Sequence, residues 1–112
     1  MAVSQAYIDY VLEQLERCGP VVSKKFFGGA GLYAGGPIFG LIDSEYRFYL
    51  KVDETNRADF EACGSTPFNP YGEDSGKKPM AYMTVPEDVL EDPDELAIWA
   101  SKAIAVAARR KS

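Results

Sequence analysis

The sequence predicts an α+β domain in which helices pack on an antiparallel sheet of about five strands. A helical pattern opens the chain and another closes it. Between them, short runs of β-branched and aromatic residues alternate with glycine and proline turns. Strands that follow one another through tight turns favour antiparallel pairing, with helices on one side. We expect the order α-β-β-β-α-β-β-α in a single domain spanning residues 1–112.

The first helix is predicted from Ser4 to Cys18. Ser4 is a favoured N-cap residue, and Gly19-Pro20 is a typical helix end. Between them, apolar side chains recur at the spacing of one helix face, at Tyr7, Ile8, Val11, Leu12 and Leu15.

Strand-like runs follow at Val21–Phe27, Gly31–Ala34, Ile38–Asp43 and Tyr46–Val52. The last run alternates, which is typical of a half-buried antiparallel strand. Its apolar residues, Tyr46, Phe48, Leu50 and Val52, are predicted to face the core. The opposite side, Arg47, Tyr49 and Lys51, is predicted to face solvent or a partner.

The second half of the chain predicts a short helix at Asn56–Ala62, a loop at Asn69–Lys78 and a strand at Met80–Val85. Asp92-Pro93 then begins the last helix, with Asp92 as N-cap and Pro93 at the first helical position. Its buried face is predicted to comprise Leu96, Trp99, Ala100, Ala103, Ile104 and Ala107.

The residue content argues against several kinds of chemistry. The chain lacks histidine, so no histidine-based catalytic triad or general base is available. Its two cysteines, Cys18 and Cys63, do not have zinc-site spacing, and we expect both to be buried and reduced, with a disulfide as the alternative. The net charge of −5 argues against strong binding to duplex DNA. We therefore expect a protein that is not an enzyme and has no cofactor or metal.

The start of the chain has no basic segment followed by a long apolar run, so we expect no signal peptide. No stretch approaches the ~20 apolar residues that a membrane helix needs. The expected location is cytoplasmic.

The segment Lys24–Tyr33 concentrates two lysines, two phenylalanines and three glycines. It does not end in Gly-Lys-Ser or Gly-Lys-Thr, as a phosphate-binding Walker loop would, and it does not open a helix, as a dinucleotide fingerprint would. A bend between two strands is the favoured interpretation. A small-ligand site at the glycine loop is the alternative.

Basic and aromatic residues on neighbouring strands give one candidate partner surface. It consists of Lys24, Lys25, Arg47, Tyr49 and Lys51. Interleaved basic and aromatic side chains bind single-stranded nucleic acid by stacking and phosphate contacts. Solvent, or a protein partner such as a second copy of the chain, is the favoured alternative.

Several segments together resemble the N-terminal domain of the TfoX (Sxy) competence regulators. They are Phe26–Tyr33, Phe39–Ile42, Phe48–Asp53, Pro67-Phe68, Lys78–Met80, Tyr82, Val85–Glu87 and Asp92–Leu96, in the family's order. The family's recurrent residues fall here on Phe27, Gly28, Gly29, Gly31, Tyr33, Tyr49 and Lys51, which fits a structural role as readily as a functional one.

The resemblance implies a secretion-chaperone-like fold and a role in regulating the transcription of DNA-uptake genes. Full-length family members act with the cyclic-AMP receptor protein and carry a second domain, whereas this chain is expected to be a lone N-terminal domain. The expected function is non-enzymatic regulation through contact with a protein, with the transcription machinery as a candidate partner. Weak nucleic-acid binding and small-ligand binding are the alternatives.

Overall fold

The sheet is an antiparallel meander in which five strands lie side by side in chain order. A computed structural model describes residues 4–26, 28–68 and 81–109. The strands are β1 (Val22–Phe26), β2 (Gly29–Tyr33), β3 (Ile38–Ile42), β4 (Phe48–Lys51) and β5 (Tyr82–Thr84). The helices are α1 (Gln5–Gln14), α2 (Arg57–Ala62), α3 (Glu87–Leu90) and α4 (Pro93–Arg109), with a 3₁₀ turn at Glu16–Cys18.

The α+β class and the five-stranded antiparallel sheet are confirmed. Four strands precede α2 and one follows it, which agrees with the four strand-like runs predicted before Asn56–Ala62 and the one predicted after it. The order α-β-β-β-α-β-β-α places one of these four strands after the helix that it in fact precedes. A tight turn between Asp43 and Arg47 returns the chain directly from β3 into β4. The predicted loop at Asn69–Lys78 and the predicted first residue of the last strand, Met80, lie outside the described residues.

The two long helices begin where the sequence predicts. The Ser4 hydroxyl accepts a hydrogen bond from the Tyr7 backbone N–H at 3.2 Å, which caps α1. The Asp92 carboxylate accepts from the N–H groups of Asp94 and Glu95 and caps α4. These side chains stabilise the helices because the first N–H groups of a helix have no partner within it.

The main core lies between the helices and one face of the sheet. Leu96, Ala100 and Ala103 of α4 are fully buried in it, and α4 lies along β3 and β4. Trp99 is partly buried and its ring meets Phe60 of α2 edge to face, with centroids 4.7 Å apart. None of the helices in the described part of the chain is both long and apolar enough to cross a bilayer.

Strand β4 buries its predicted apolar face with one exception. Phe48, Leu50 and Val52 lie in the main core, but the side chain of Tyr46 is 48% exposed. Tyr46 precedes β4 and occupies a turn position with φ of 65°, which directs its ring toward Tyr7 instead of the core. The predicted inward orientation of Tyr46 is therefore wrong.

The cysteines do not pair with each other. Cys18 is half-buried, and burial raises the pKa of its thiol. Cys63 is exposed because it follows the last turn of α2, so the expectation of two buried cysteines is wrong for Cys63.

A close backbone contact joins β2 to β3 at Gly29. A Cβ atom on this residue would lie 1.7 Å from the carbonyl oxygen of Ile42. Only glycine allows the two strands to approach in this way.

We expect Gly29→Ala to lower the free energy of unfolding by at least ~1–3 kcal/mol, the usual cost of overpacking. Gly36→Ala is the matched control, since its Cβ would meet nothing within 4 Å and its φ is not positive. Urea unfolding followed by the fluorescence of Trp99, the single tryptophan, measures both. Equal stability of the two variants would contradict the proposed contact.

Candidate functional site

The sheet has a second face, turned away from the helices, which we call the outer face. It carries its own small apolar cluster, made of Leu41, Tyr49, Phe68 and Tyr82 with Phe26 packed against it. Lys24 lies on this face because it pairs with Gly31, which in turn pairs with Leu41. Residues that pair directly across an antiparallel sheet point to the same side.

Lys24 rests on an aromatic ring that its neighbours hold in place. Its ammonium nitrogen lies 5.0 Å from the centroid of the Tyr33 ring. Gly31 leaves room for this arrangement, since a Cβ atom there would lie 3.4 Å from the Tyr33 ring and 2.7 Å from Ile38 Cδ1. A lysine over a tyrosine ring gains roughly 0.5–1 kcal/mol at an exposed site. Lys24 is therefore an exposed cation with a preferred position.

Lys51 makes a second contact of this kind on the outer face. Its ammonium nitrogen lies 5.1 Å from the centroid of the Tyr82 ring, on the strand with which β4 pairs. Burial, and next the nearby Tyr33 hydroxyl, raise the pKa of Tyr82 to about 12. The ring is thus neutral at ordinary pH. Lys24 lies on β1 and Lys51 on β4. At the usual spacing between neighbouring strands, these two strands are about 14 Å apart.

Lys25 points to the other side of the sheet. It pairs with Ala30, which belongs to the main core beneath the helices. Lys25 itself is exposed because β1 is the edge strand, beyond the cover that the helices give to the central strands. The two adjacent lysines of β1 therefore lie on opposite sides of one strand.

Tyr49 does not lie on an accessible surface, contrary to the prediction. Its side chain is 3% exposed and packs against Phe68, with ring centroids 4.9 Å apart. Its hydroxyl donates a hydrogen bond to the Asp43 carboxylate at 3.0 Å. Burial, and then this bond to Asp43, raise the pKa of Tyr49 to about 12. Alternation in sequence could not reveal that segment 66–68 covers this part of the outer face.

Arg47 is exposed, but its charge is already paired. Its Nε donates to the Asp43 carboxylate at 3.0 Å, and its terminal nitrogen binds the Glu45 carboxylate. The structure therefore places Lys24, Lys51 and Tyr49 on the outer face, with Tyr49 buried. It places Lys25 on the opposite side of β1, and it places Arg47 beside Tyr49, since both donate to the same oxygen of the Asp43 carboxylate.

Asp43 organises the turn before β4, and sequence reasoning missed its side chain. One carboxylate oxygen accepts from the N–H groups of Glu45 and Arg47, and the other accepts from Arg47 Nε and the Tyr49 hydroxyl. Burial acts to raise the pKa of Asp43, but these hydrogen bonds outweigh it and the pKa is lowered. The sequence signal for this turn is the run Asp43-Ser44-Glu45, whose residue types are typical of turns.

Asp53 anchors the end of α4, a second feature that the sequence did not reveal. Its carboxylate accepts from the Thr55 N–H and hydroxyl and from the Arg109 guanidinium at 3.1 Å. The Thr55 hydrogen bonds, and then Arg109, lower the pKa of Asp53 to about 2. A shallow depression of about 510 Å³ lies beside it, with Glu54, Arg57 and Glu61 in its lining. None of the five predicted surface residues lines this depression.

Only Gly28 of the three glycines lies in the turn from β1 into β2, as the favoured interpretation predicted, whereas Gly29 and Gly31 belong to β2, which begins two residues before the predicted run. Gly28 has φ of 78°, and β2 begins at Gly29. Strand β2 lies between β1 and β3 and pairs with both, so its backbone belongs to the sheet and does not form a phosphate cradle. Phe27, the remaining residue of the predicted signature, lies outside the described residues.

The two edges of the sheet differ. Segment 66–68 closes the β5 edge: Phe68 N–H donates to Tyr82 O at 2.9 Å, and Thr84 N–H donates to Thr66 O at 3.0 Å. At the other edge, β1 pairs with β2 on one side. Among residues 4–26, 28–68 and 81–109, no segment pairs with the outer side of Val22–Lys25. The β1 edge is thus the part of the described sheet that has backbone groups left to pair.

We expect Tyr49→Phe to lower the free energy of unfolding by roughly 1.5–3 kcal/mol, because a buried carboxylate loses one of its hydrogen-bond donors. Tyr10→Phe is the control, since Tyr10 is an exposed tyrosine. Denaturant unfolding of both variants at neutral pH measures the difference. If Tyr49→Phe proves as stable as the parent protein, its hydroxyl does not support Asp43.

The stability that Asp53 contributes is expected to depend on pH. Its pKa is about 2 in the folded protein and 3.8 ordinarily, so this contribution is complete above about pH 4 and is lost as the pH falls toward 2. The difference in unfolding free energy between the parent protein and Asp53→Asn should therefore shrink between pH 5 and pH 2.

Asp59→Asn serves as the control for that titration. Asp59 pairs with Lys102, but both side chains are about half exposed, so the pair contributes little stability. The difference in unfolding free energy between the parent protein and Asp59→Asn should remain small at every pH. A difference for Asp53→Asn that stays constant down to pH 2 would contradict the assignment.

The comparison with known protein families agrees with this architecture. The family model of the TfoX N-terminal domain matches residues 13–107, which includes all five strands and most of α4. No curated protein sequence matches the chain. The match covers well over half of the 112 residues. The chain therefore belongs to the TfoX N-terminal domain family.

Proposed function

We propose that this domain is a non-enzymatic regulator of DNA-uptake (competence) genes and that it acts by binding a protein partner through β1. The TfoX N-terminal domain family suggests a competence-related regulatory role. The observation that carries the proposal is the open edge of β1, with Lys24 and Lys25 exposed on it. A component of the transcription machinery is the proposed class of partner.

The electrostatics of the buried carboxylates favour a binding role over catalysis. Asp43 and Asp53 are the buried acids of the described residues, and both have lowered pKa values. A general acid or base at neutral pH needs a pKa near 7, so these two carboxylates are poorly suited to proton transfer. Their hydrogen bonds hold the turns before and after β4 instead.

The exposure of β1 supports its use as the contact surface. Val22 is 54% exposed and so leaves an apolar side chain accessible on this strand. Together with Lys24 and Lys25 it gives β1 one apolar and two cationic side chains beside unpaired backbone. A protein partner can contact the apolar side chain, the cations and the unpaired backbone, whereas nucleic acid would contact mainly the cations.

Photo-crosslinking in the cells that naturally express this protein tests the proposed function. A photo-reactive amino acid replaces Val22 in one variant and Ile98 in another, because both side chains are 54% exposed but Ile98 lies on α4. We expect a distinct protein to be captured from position 22 and not from position 98. We also expect transcripts of DNA-uptake genes to fall in cells that carry Lys24→Glu together with Lys25→Glu.

Three results would argue against the proposal. Identical capture from both positions would mean that β1 is not a specific contact. Unchanged transcripts in the lysine variant would remove the regulatory role of this edge. Capture of nucleic acid, with no protein, from position 22 would favour the nucleic-acid alternative.

A further inference from the structure

We propose that β1 binds an extended acidic segment of its partner as an additional strand of the sheet. The inference rests on the proposed function, and it specifies the chemistry of the partner and how it binds. It follows from three features of residues 22–25: unpaired backbone, cations on both sides of the strand, and an exposed apolar side chain beside them.

The backbone of β1 is suited to pairing with another strand. None of its residues is proline, so each has an N–H donor as well as a carbonyl acceptor. Among the described residues, only one side of Val22–Lys25 is paired, by β2. In an antiparallel edge strand, alternate residues direct both groups outward, where an added strand pairs with them. At the β5 edge the same groups are already bonded to segment 66–68.

The two lysines specify acidic side chains in that added strand. Lys24 projects on the outer face, over Tyr33, and Lys25 projects on the opposite side. Side chains of an added strand also alternate between the two sides. Two consecutive acids would therefore meet one lysine each, which a strand with a single acid cannot do. Opposite charges directly across a strand pair stabilise it, and like charges destabilise it.

Val22 adds a third element to the recognition. It lies on the same side as Lys24, two residues earlier, and is largely exposed. An apolar residue in the partner, two positions from the acid that faces Lys24, would cover it. For an antiparallel partner the pattern is two acids, any residue, then an apolar residue. The pattern is reversed for a parallel partner.

A second copy of β1 is a poor occupant of this edge. Pairing Val22–Lys25 with its own copy would place four lysine side chains along one short seam. Edge lysines are a common device that keeps sheets from pairing with themselves. The same two lysines therefore disfavour self-association and favour an acidic partner.

Fluorescence anisotropy with synthetic peptides tests the proposal on the full chain. The probe is a fluorescein-labelled octapeptide of β-branched residues that contains two adjacent glutamates and, two positions after the second, a valine. A second peptide carries lysines in place of the glutamates. A third keeps the glutamates but is N-methylated on every backbone amide, so that neither of its edges can donate backbone hydrogen bonds to β1.

We expect the glutamate peptide to bind and the N-methylated peptide to bind at least ~10-fold more weakly, since it loses backbone hydrogen bonds. Lys24→Glu with Lys25→Glu should reverse the preference, so that this variant binds the lysine peptide and not the glutamate peptide. Arg57→Glu with Lys102→Glu has the same net charge but alters α2 and α4, and it should retain the original preference. Circular dichroism verifies that both variants are folded.

The opposite results would overturn the proposal. The proposal is wrong if the glutamate peptide does not bind at millimolar concentration. Equal binding of the N-methylated peptide, or equal displacement of the probe by oligothymidylate, would show a general attraction for polyanions. If a protein is still captured from position 22 in cells while the peptides fail, strand addition is wrong and the protein-contact function stands. If the peptides bind as expected but nothing is captured in cells, the proposed function is wrong.

Discussion

The close approach of β2 to β3 is the contact on which the rest of the sheet depends. At Gly29 the backbones are so near that a Cβ atom would lie 1.7 Å from Ile42 O. Two residues later, Gly31 leaves the outer face open for the Tyr33 ring, which in turn supports the Lys24 ammonium. The glycines therefore do more than turn the chain: they set the strand spacing and the position of the exposed cation.

The sheet that results has unequal edges, and this inequality links structure to function. Segment 66–68 completes the β5 side, while β1 keeps one side of its backbone unpaired among the described residues. An unpaired edge is normally an aggregation hazard, and lysines are a usual remedy. Here Lys24 and Lys25 lie on opposite sides of the strand, so they repel a second copy and attract a strand with consecutive acids.

Local patterns in the sequence predicted most of the fold, because the interactions that decide it are local. Caps at Ser4 and Asp92 mark the helix starts, and the alternation of Phe48, Leu50 and Val52 identifies the inner face of β4. The site was harder to predict because distant contacts decide it. Tyr49 is buried because Phe68 packs on it, 19 residues away in the chain. The bond between Asp53 and Arg109, which are 56 residues apart, had no signal in the sequence.

Amide hydrogen exchange of the free protein, resolved by residue, tests the central claim that the β1 edge is open. If the outer side of Val22–Lys25 is unpaired, the alternate amides that point outward should exchange far faster than those of β3, which is paired on both sides. The amides of Tyr82–Thr84, at the edge that segment 66–68 covers, should exchange slowly. Protection of every amide from Val22 to Lys25 at the level of β3 would contradict the account, because it would mean that this edge is already occupied.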